Sequence, residues 1–100
     1  MSTSRDPDFV EEIVAARIAR SPLFPELVEA AAARRALLRE LARRRAMLGF
    51  SQTAVAARME TSQSAVARLE SSAADTKLST VDRYAAALGC RVEWRVVDVR

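Results

Sequence analysis

The stretch SQTAVAARMETSQSAVARLE, residues 51–70, limits the fold more than any other part of the chain. It holds two near-parallel phrases, SQTAVAARME and TSQSAVARLE. Each opens on a hydroxyl residue and a Gln and closes on a hydrophobe and a Glu. A Ser or Thr just ahead of an apolar-periodic run marks a helix start. Two such starts this close leave room for two short helices and a tight turn. The first helix is expected over roughly 51–59, capped by Ser51, with Val55, Ala56 and Met59 inward. After the turn ETS, Thr61 or Ser62 caps the second. There Ala65, Val66 and Leu69 face in, while Gln63, Ser64, Ala67 and Arg68 face out. Neither helix can bury its stripe alone. They must cross each other, and a crossing needs a small residue, which Ala56 supplies.

The flanking segments read as the rest of a helical bundle. From Glu26 to Leu48 the pattern is helical without a break, and Leu37, Leu38, Leu41, Ala42 and Leu48 share a face. Arg45 falls inside that stripe, whereas Arg39 and Arg43 lie opposite. A buried Arg requires a counter-ion. Gly49 is expected to end this helix. Beyond the loop SSAADTKL, the run STVDRYAAALG is a helix with Val81, Tyr84, Ala85 and Leu88 inward. Ser79 and Asp82 stand at capping-box spacing, and Gly89 closes the run. Upstream, DPDFVEE starts a further helix, with Asp6 as cap and Pro7 at the first helical position. Its stripe is Phe9, Ile13 and Ala16, joined by Val10 and Val14. SPLFP then breaks it. The last ten residues change period. In RVEWRVVDV, Val92, Trp94 and Val96 alternate with Glu93 and Arg95, a strand pattern.

One hundred residues with two Gly and three Pro favour one all-α domain, and the aromatic content of 5% makes its core thin. There is no His, so the commonest general base and neutral metal ligand are missing. One cysteine, Cys90, precludes an internal disulfide and a Cys-rich metal site. A small hydrophobe at a helix–strand junction is its plain reading. Together these weigh against an enzyme and imply no cofactor and no metal. No run approaches a membrane span, and the polar start MSTSRDPDFVEE does not read as a signal peptide. A cytoplasmic protein is expected.

Charge is unevenly placed. Residues 1–33 carry three Arg against six acids, a net of −3. Residues 34–70 carry eight Arg against three Glu, a net of +5. Residues 71–100 carry five basic and four acidic residues, a net of +1. An Arg- and Ala-rich composition also follows from codon bias, so the clustering in RRALLRELARRR says more than the total. A basic centre beside an acidic first third fits two surfaces for two partners.

At GFSQTAVAARMETSQSAVARLE the chain resembles the XRE, or lambda-repressor-like, helix-turn-helix family. The resemblance covers roughly residues 37–89. It rests on a Gly-hydrophobe-Ser-Gln opening, an Ala in the first helix, and a second helix ending Arg-hydrophobe-Glu. It implies that the two phrases are not a repeat: the first helix braces on the DNA backbone and the second enters the major groove. The DNA-contacting set it implies is Gln52, Thr53, Ser62, Gln63, Ser64, Ala67 and Arg68. Gln52 takes a phosphate, and Gln63, Ser64 and Arg68 face base edges. The resemblance also pairs Glu70 with Arg45, the same arginine that helical periodicity strands on an apolar face. Two departures stand out. Glu60 occupies the usual turn Gly, and Ala67 stands where Ser is common.

Among such proteins the chain looks most like a HigA-type antitoxin. That resemblance implies repression of its own operon and neutralisation of a RelE- or HigB-like toxin. The alternatives are a stand-alone phage-type or chromosomal repressor, and an interaction scaffold without specific DNA binding. The expected organisation is an N-terminal helical extension over 1–25, a helix-turn-helix domain over 26–90 and a dimerisation strand over 91–100. Val92, Trp94 and Val96 would form the interface of a homodimer on a palindromic operator.

Overall fold

A computed structural model describes residues 7–72 and 75–99. The expected cap Asp6 lies outside them. Among the described residues are helices α1 (Pro7–Ala19), α2 (Phe24–Met47), α3 (Gln52–Met59), α4 (Gln63–Ser71) and α5 (Leu78–Ala87). None is long and apolar enough to cross a membrane. The chain divides into two compact units, Met1–Arg34 and Arg35–Arg100.

The first unit holds α1 and the opening of α2. Pro7 starts α1 as expected. Pro22 lies between the helices, and Pro25 sits in the first turn of α2, where a missing N–H costs nothing. Ser21 organises the break: its Oγ accepts from the Leu23 N–H at 3.0 Å and its carbonyl from the Phe24 N–H at 3.0 Å. The expected α1 stripe buries nothing. Val10, Ile13, Val14 and Ile18 are all exposed, and Phe9 is half-buried. The α1 hydrophobes, with Ala15, Ala16 and Ala19 among them, are spread around the helix rather than gathered on one face.

The second unit has the core. Leu38 and Leu41 of α2 meet Val55, Ala56 and Met59 of α3, Val66 and Leu69 of α4, and Val81, Tyr84 and Ala85 of α5. Leu88 is also buried there, and Leu37, Phe50, Cys90 and Val92 pack against the cluster. Ala56 is buried in this core, as the crossing requires.

α2, α3 and α5 stop in the same way. Beyond each, a residue with positive φ turns the chain: Gly49 (78°), Glu60 (57°) and Gly89 (76°). The next N–H reaches back five residues: Phe50 to the Arg45 carbonyl, Thr61 to Ala56, Cys90 to Ala85. This is the Schellman arrangement, and it satisfies carbonyls that the helix end leaves free. Two arginines complete the ends reciprocally. Arg58 of α3 donates to the Ala87 carbonyl at the end of α5 at 3.1 Å, and Arg83 of α5 donates to the Met59 carbonyl at the end of α3. The Arg58 guanidinium also lies 4.2 Å from the centroid of the Phe50 ring.

Four expectations are corrected. Leu48 is 51% exposed, because α2 ends at Met47 and the Gly49 turn carries the chain off the stripe. Ala65 is exposed, so the inner face of α4 narrows to Val66 and Leu69. Ser79 is no cap. α5 starts at Leu78 behind Lys77, which makes no side-chain cap bond, and Asp82 instead accepts from Trp94 Nε1 at 3.4 Å. Finally, no β-strand occurs among the described residues, and 91–99 have no regular secondary structure. Alternation assigns faces, but a strand exists only by pairing, and the described residues offer no second one. Of its three interface residues only Val92 reaches the core; Trp94 is 48% and Val96 97% exposed.

Candidate nucleic-acid interface

The serines that open the two phrases set both short helices. Ser51 Oγ accepts from the Ala54 N–H at 3.0 Å, and Ser62 Oγ from the Ala65 N–H at 3.1 Å. Each side chain satisfies a donor that the first turn leaves unpaired. Between them Glu60 takes the left-handed conformation, φ 57° and ψ 46°, that the usual Gly would adopt freely. The turn geometry is therefore kept with a non-Gly residue.

With Val66 and Leu69 inward, α4 turns an opposite face to solvent. Gln63, Ser64 and Arg68 are exposed on it, and Ala67 is half-buried. Ser62 and Thr53 are exposed as well, and the Ser62 and Ser64 hydroxyls lie 3.2 Å apart. Arg68 borders a hollow also lined by Asp75, Thr76, Lys77 and Thr80. The loop after α4 thus brings a second cation, Lys77, beside the helix face, which no pattern in SSAADTKL announces. Of the arginine run, Arg43 and Arg44 bind Glu40 at 2.5 and 3.2 Å in exposed pairs. Such pairs contribute little stability.

Arg45 is different. It meets Glu70 in a two-pronged pair, Nε to Oε2 at 2.5 Å and Nη2 to Oε1 at 3.0 Å, with side chains 18% and 10% exposed. Its Nη1 donates to the Phe50 carbonyl at 2.7 Å, tying the pair to the residue ahead of the Ser51 cap. Glu70 accepts further from Gln52 Nε2 at 2.9 Å and from the Tyr84 hydroxyl. Burial pushes the Glu70 carboxyl up, but the hydrogen bonds from Arg45, Tyr84 and Gln52 outweigh it and hold the group below its ordinary value. Arg45 is raised, first by its hydrogen bonds to Glu70. Tyr84 is also raised, first by burial and then by its bond to the carboxylate.

Gln52 sits in the middle of this network. Its amide N–H goes to Glu70, and its carbonyl accepts from Gln63 Nε2 at 2.6 Å. The structure thus joins Arg45, Glu70, Gln52 and Gln63 in one chain of contacts. Thr53, Ser64 and Arg68 stand apart from it on the exposed surface. Sequence reasoning treated Tyr84 only as a core side chain and missed its hydroxyl. A usable signal was there: a Tyr placed inward normally finds a hydrogen-bond partner.

The sequence pattern of the helix-turn-helix family matches residues 41–95, which take in the end of α2 and all of α3, α4 and α5. Comparisons with curated proteins and with solved structures return no match.

Proposed function

The chain belongs to the XRE-type helix-turn-helix family of DNA-binding regulators, and from that premise we propose that it is a sequence-specific antitoxin. In this reading it represses its own operon and neutralises a RelE- or HigB-like toxin. The observation that carries the DNA half is the α4 face. Gln63, Ser64 and Arg68 project from a two-helix unit whose geometry is fixed by the Arg45–Glu70 pair. α4 enters the major groove and Arg68 reads a base. Arg68 suits guanine, whose two major-groove acceptors match a guanidinium fork. Gln52 has one amide N–H beyond its bond to Glu70, and that proton serves a phosphate.

The toxin half rests on the first third of the chain. Its net charge is −3, and Val10, Ile13, Val14 and Ile18 are exposed beside Glu11 and Glu12. An apolar surface rimmed by acids suits a basic protein partner. Dimerisation is assigned to residues 91–99. Among the described residues no backbone hydrogen bond involves them, and Trp94, Val96, Val97 and Val99 are exposed. A second copy is the simplest cover, and two copies place two α4 helices on a palindrome.

A stand-alone repressor has the same DNA chemistry and differs only in lacking the toxin; an interaction scaffold differs in having no preferred duplex. Coexpression with the neighbouring reading frame, followed by purification and a toxicity rescue, separates these readings. The antitoxin reading expects a tight small basic partner, rescue by the full chain, and loss of rescue on deletion of residues 1–30 with operator binding retained. A toxic neighbour that the full chain neither binds nor rescues overturns it.

A further inference from the structure

We propose that Glu70 and Tyr84 are positioning residues for base recognition, because together they fix which way round the Gln52–Gln63 amide pair points. The inference rests on the DNA-binding reading above and deepens it. It starts from an asymmetry between side chains. An amide can present either end to a neighbour, and the two ends have nearly the same shape. An ionised carboxylate can only accept.

Glu70 therefore dictates a sequence of orientations. Its carboxylate faces Gln52, so Gln52 must turn its NH2 inward, as the 2.9 Å contact has it. The Gln52 carbonyl is then left facing Gln63. Gln63 must in turn offer its own NH2, at 2.6 Å. What remains for a base is the Gln63 Oε1, which has no protein partner among the described residues, and one N–H. A two-point amide contact to a base edge needs donor and acceptor in a given order. Glu70 sets that order although it lies two residues from any base in this chain of contacts.

Tyr84 holds Glu70 to this task. Each carboxylate oxygen accepts twice: Oε1 from Arg45 Nη2 and Gln52 Nε2, Oε2 from Arg45 Nε and the Tyr84 hydroxyl. With Tyr84 on Oε2, Oε1 is the oxygen left for Gln52. The Tyr84 ring is fully buried, so the hydroxyl is delivered from a fixed point in the core. Removing it takes away the contact anchored in the core and leaves the carboxylate held by Arg45 and Gln52 alone. Replacing the carboxylate by an amide removes the directing asymmetry, and both orientations of the Gln pair become available.

The chain contains two glutamines and no asparagine, so its side-chain amides give two NH2 pairs in a nitrogen-15 spectrum. The full-length protein is first used to select its preferred duplex from a random pool, and Gln63→Ala identifies the base position that Gln63 reads. Glu70→Gln is expected to lower preference at that position about tenfold, and Tyr84→Phe, which keeps the ring in the core, about threefold. The position read by Arg68 keeps its preference in both. In a Gln63→Ala background neither substitution changes base preference further, an outcome a merely structural role would not produce. In the spectrum, Tyr84→Phe moves both amide pairs, including that of Gln63, which Tyr84 does not touch. Equal loss at every base position, or an unmoved Gln63 pair in folded Tyr84→Phe, overturns the relay. If wild-type protein selects no duplex, the DNA-binding reading is overturned instead, and the amide spectrum alone decides whether the relay exists.

Discussion

Residues 7–34 and 35–99 use the same materials and reach opposite ends. Both are rich in Ala and Arg, and both contain enough Leu, Ile and Val to build a core. In the first, no described side chain is buried, and apart from the half-buried Phe9 the large hydrophobes run from 37% exposed at Phe24 to 62% at Leu23. In the second, Val55, Val66, Tyr84 and Ala85 are at 0%. Helix propensity does not separate the two, since both are helical. What separates them is segregation and termination. α4 and α5 gather their hydrophobes on one side, and three helices of this region end in the same hydrogen-bonded turn. Propensity makes a helix; a one-sided stripe and a defined stop make helices fold onto one another.

The harshest way to break this comparison is to remove one apolar side chain from each region. Leu41 is 3% exposed, and Leu41→Ala should cost about 2–5 kcal/mol. For a domain of this size that lowers the melting temperature by roughly 10 °C or more. Ile13 is 43% exposed, and Ile13→Ala should change stability by less than about 0.5 kcal/mol. Thermal melts of the free chain followed by circular dichroism give both. A loss at Ile13 equal to that at Leu41 would mean that the first region has a core of its own.

The same contrast explains what could be read before folding. Ser51 and Gly49 were legible, and the second cap was legible to within one residue, Thr61 or Ser62, because caps and stops act within a few residues. Arg45 was legible as an anomaly, since periodicity put a charge in an apolar stripe and demanded a partner. The family pattern supplied Glu70. The Ser79–Asp82 cap failed because the helix starts two residues earlier, behind Lys77, without any side-chain cap. The α1 stripe failed because a run of hydrophobes says that burial is possible, not what will cover it. The strand failed for the same reason. RVEWRVVDV alternates correctly, but pairing is a property of two segments. The link from Tyr84 to Gln63 crosses three helices, and no local pattern carries it.

A sharper probe removes a charge instead of a hydrophobe. Glu70→Ala leaves Arg45 partly buried and unpaired, a change that costs on the order of 3–5 kcal/mol when burial is complete. With the pair 18% and 10% exposed the loss should be smaller, about 2–3 kcal/mol. The pair also predicts a pH profile. Glu70 is lowered from its ordinary 4.5, so its contribution is present above that value and is lost as pH falls through the folded one. Tyr84 is raised from its ordinary 10.0, so its contribution is present below that value and is lost as pH rises. Urea melts across pH should therefore show a plateau with two limbs. Glu70→Gln should flatten the acid limb, and Tyr84→Phe the alkaline one. Acid and alkaline limbs unchanged in these variants would remove the network from the stability account.

The DNA-reading proposal is tested by two arginines of equal charge. Arg68→Ala should cost about 1–3 kcal/mol in specific binding and relax preference at one operator position. Arg39 is exposed on α2, and Arg39→Ala removes the same charge. Its effect should be small, uniform across sequences and sensitive to salt. Binding titrations on the selected duplex and on single-base variants distinguish the two. Identical losses on every duplex would reduce Arg68 to part of a general positive field.

The smallest expected effect tests termination itself. α2 and α3 end in the same turn, one through Gly49 and the other through Glu60. At φ 57° a Cβ crowds the backbone, which costs about 1 kcal/mol for a residue other than Gly. The Glu60 carboxylate also lies at the negative end of the α3 dipole, a further loss of about 0.3 kcal/mol at an exposed site. Gly at that position relieves both but gives the unfolded chain more freedom, worth about 0.5–1 kcal/mol the other way. Glu60→Gly should therefore stabilise by only about 0.5 kcal/mol. Glu60→Gln separates the charge from the backbone contribution, since it keeps the Cβ and removes the carboxylate. Gly49→Ala is the mirror experiment. A Cβ there meets nothing within 4 Å, so the loss comes from the backbone alone; set against the reduced freedom of the unfolded chain, it should be about 0.5 kcal/mol or less. Urea melts of the three variants measure these differences. A Glu60→Gly protein less stable than wild type would show that the Glu60 side chain, and not the left-handed turn, is what the family's missing glycine was exchanged for.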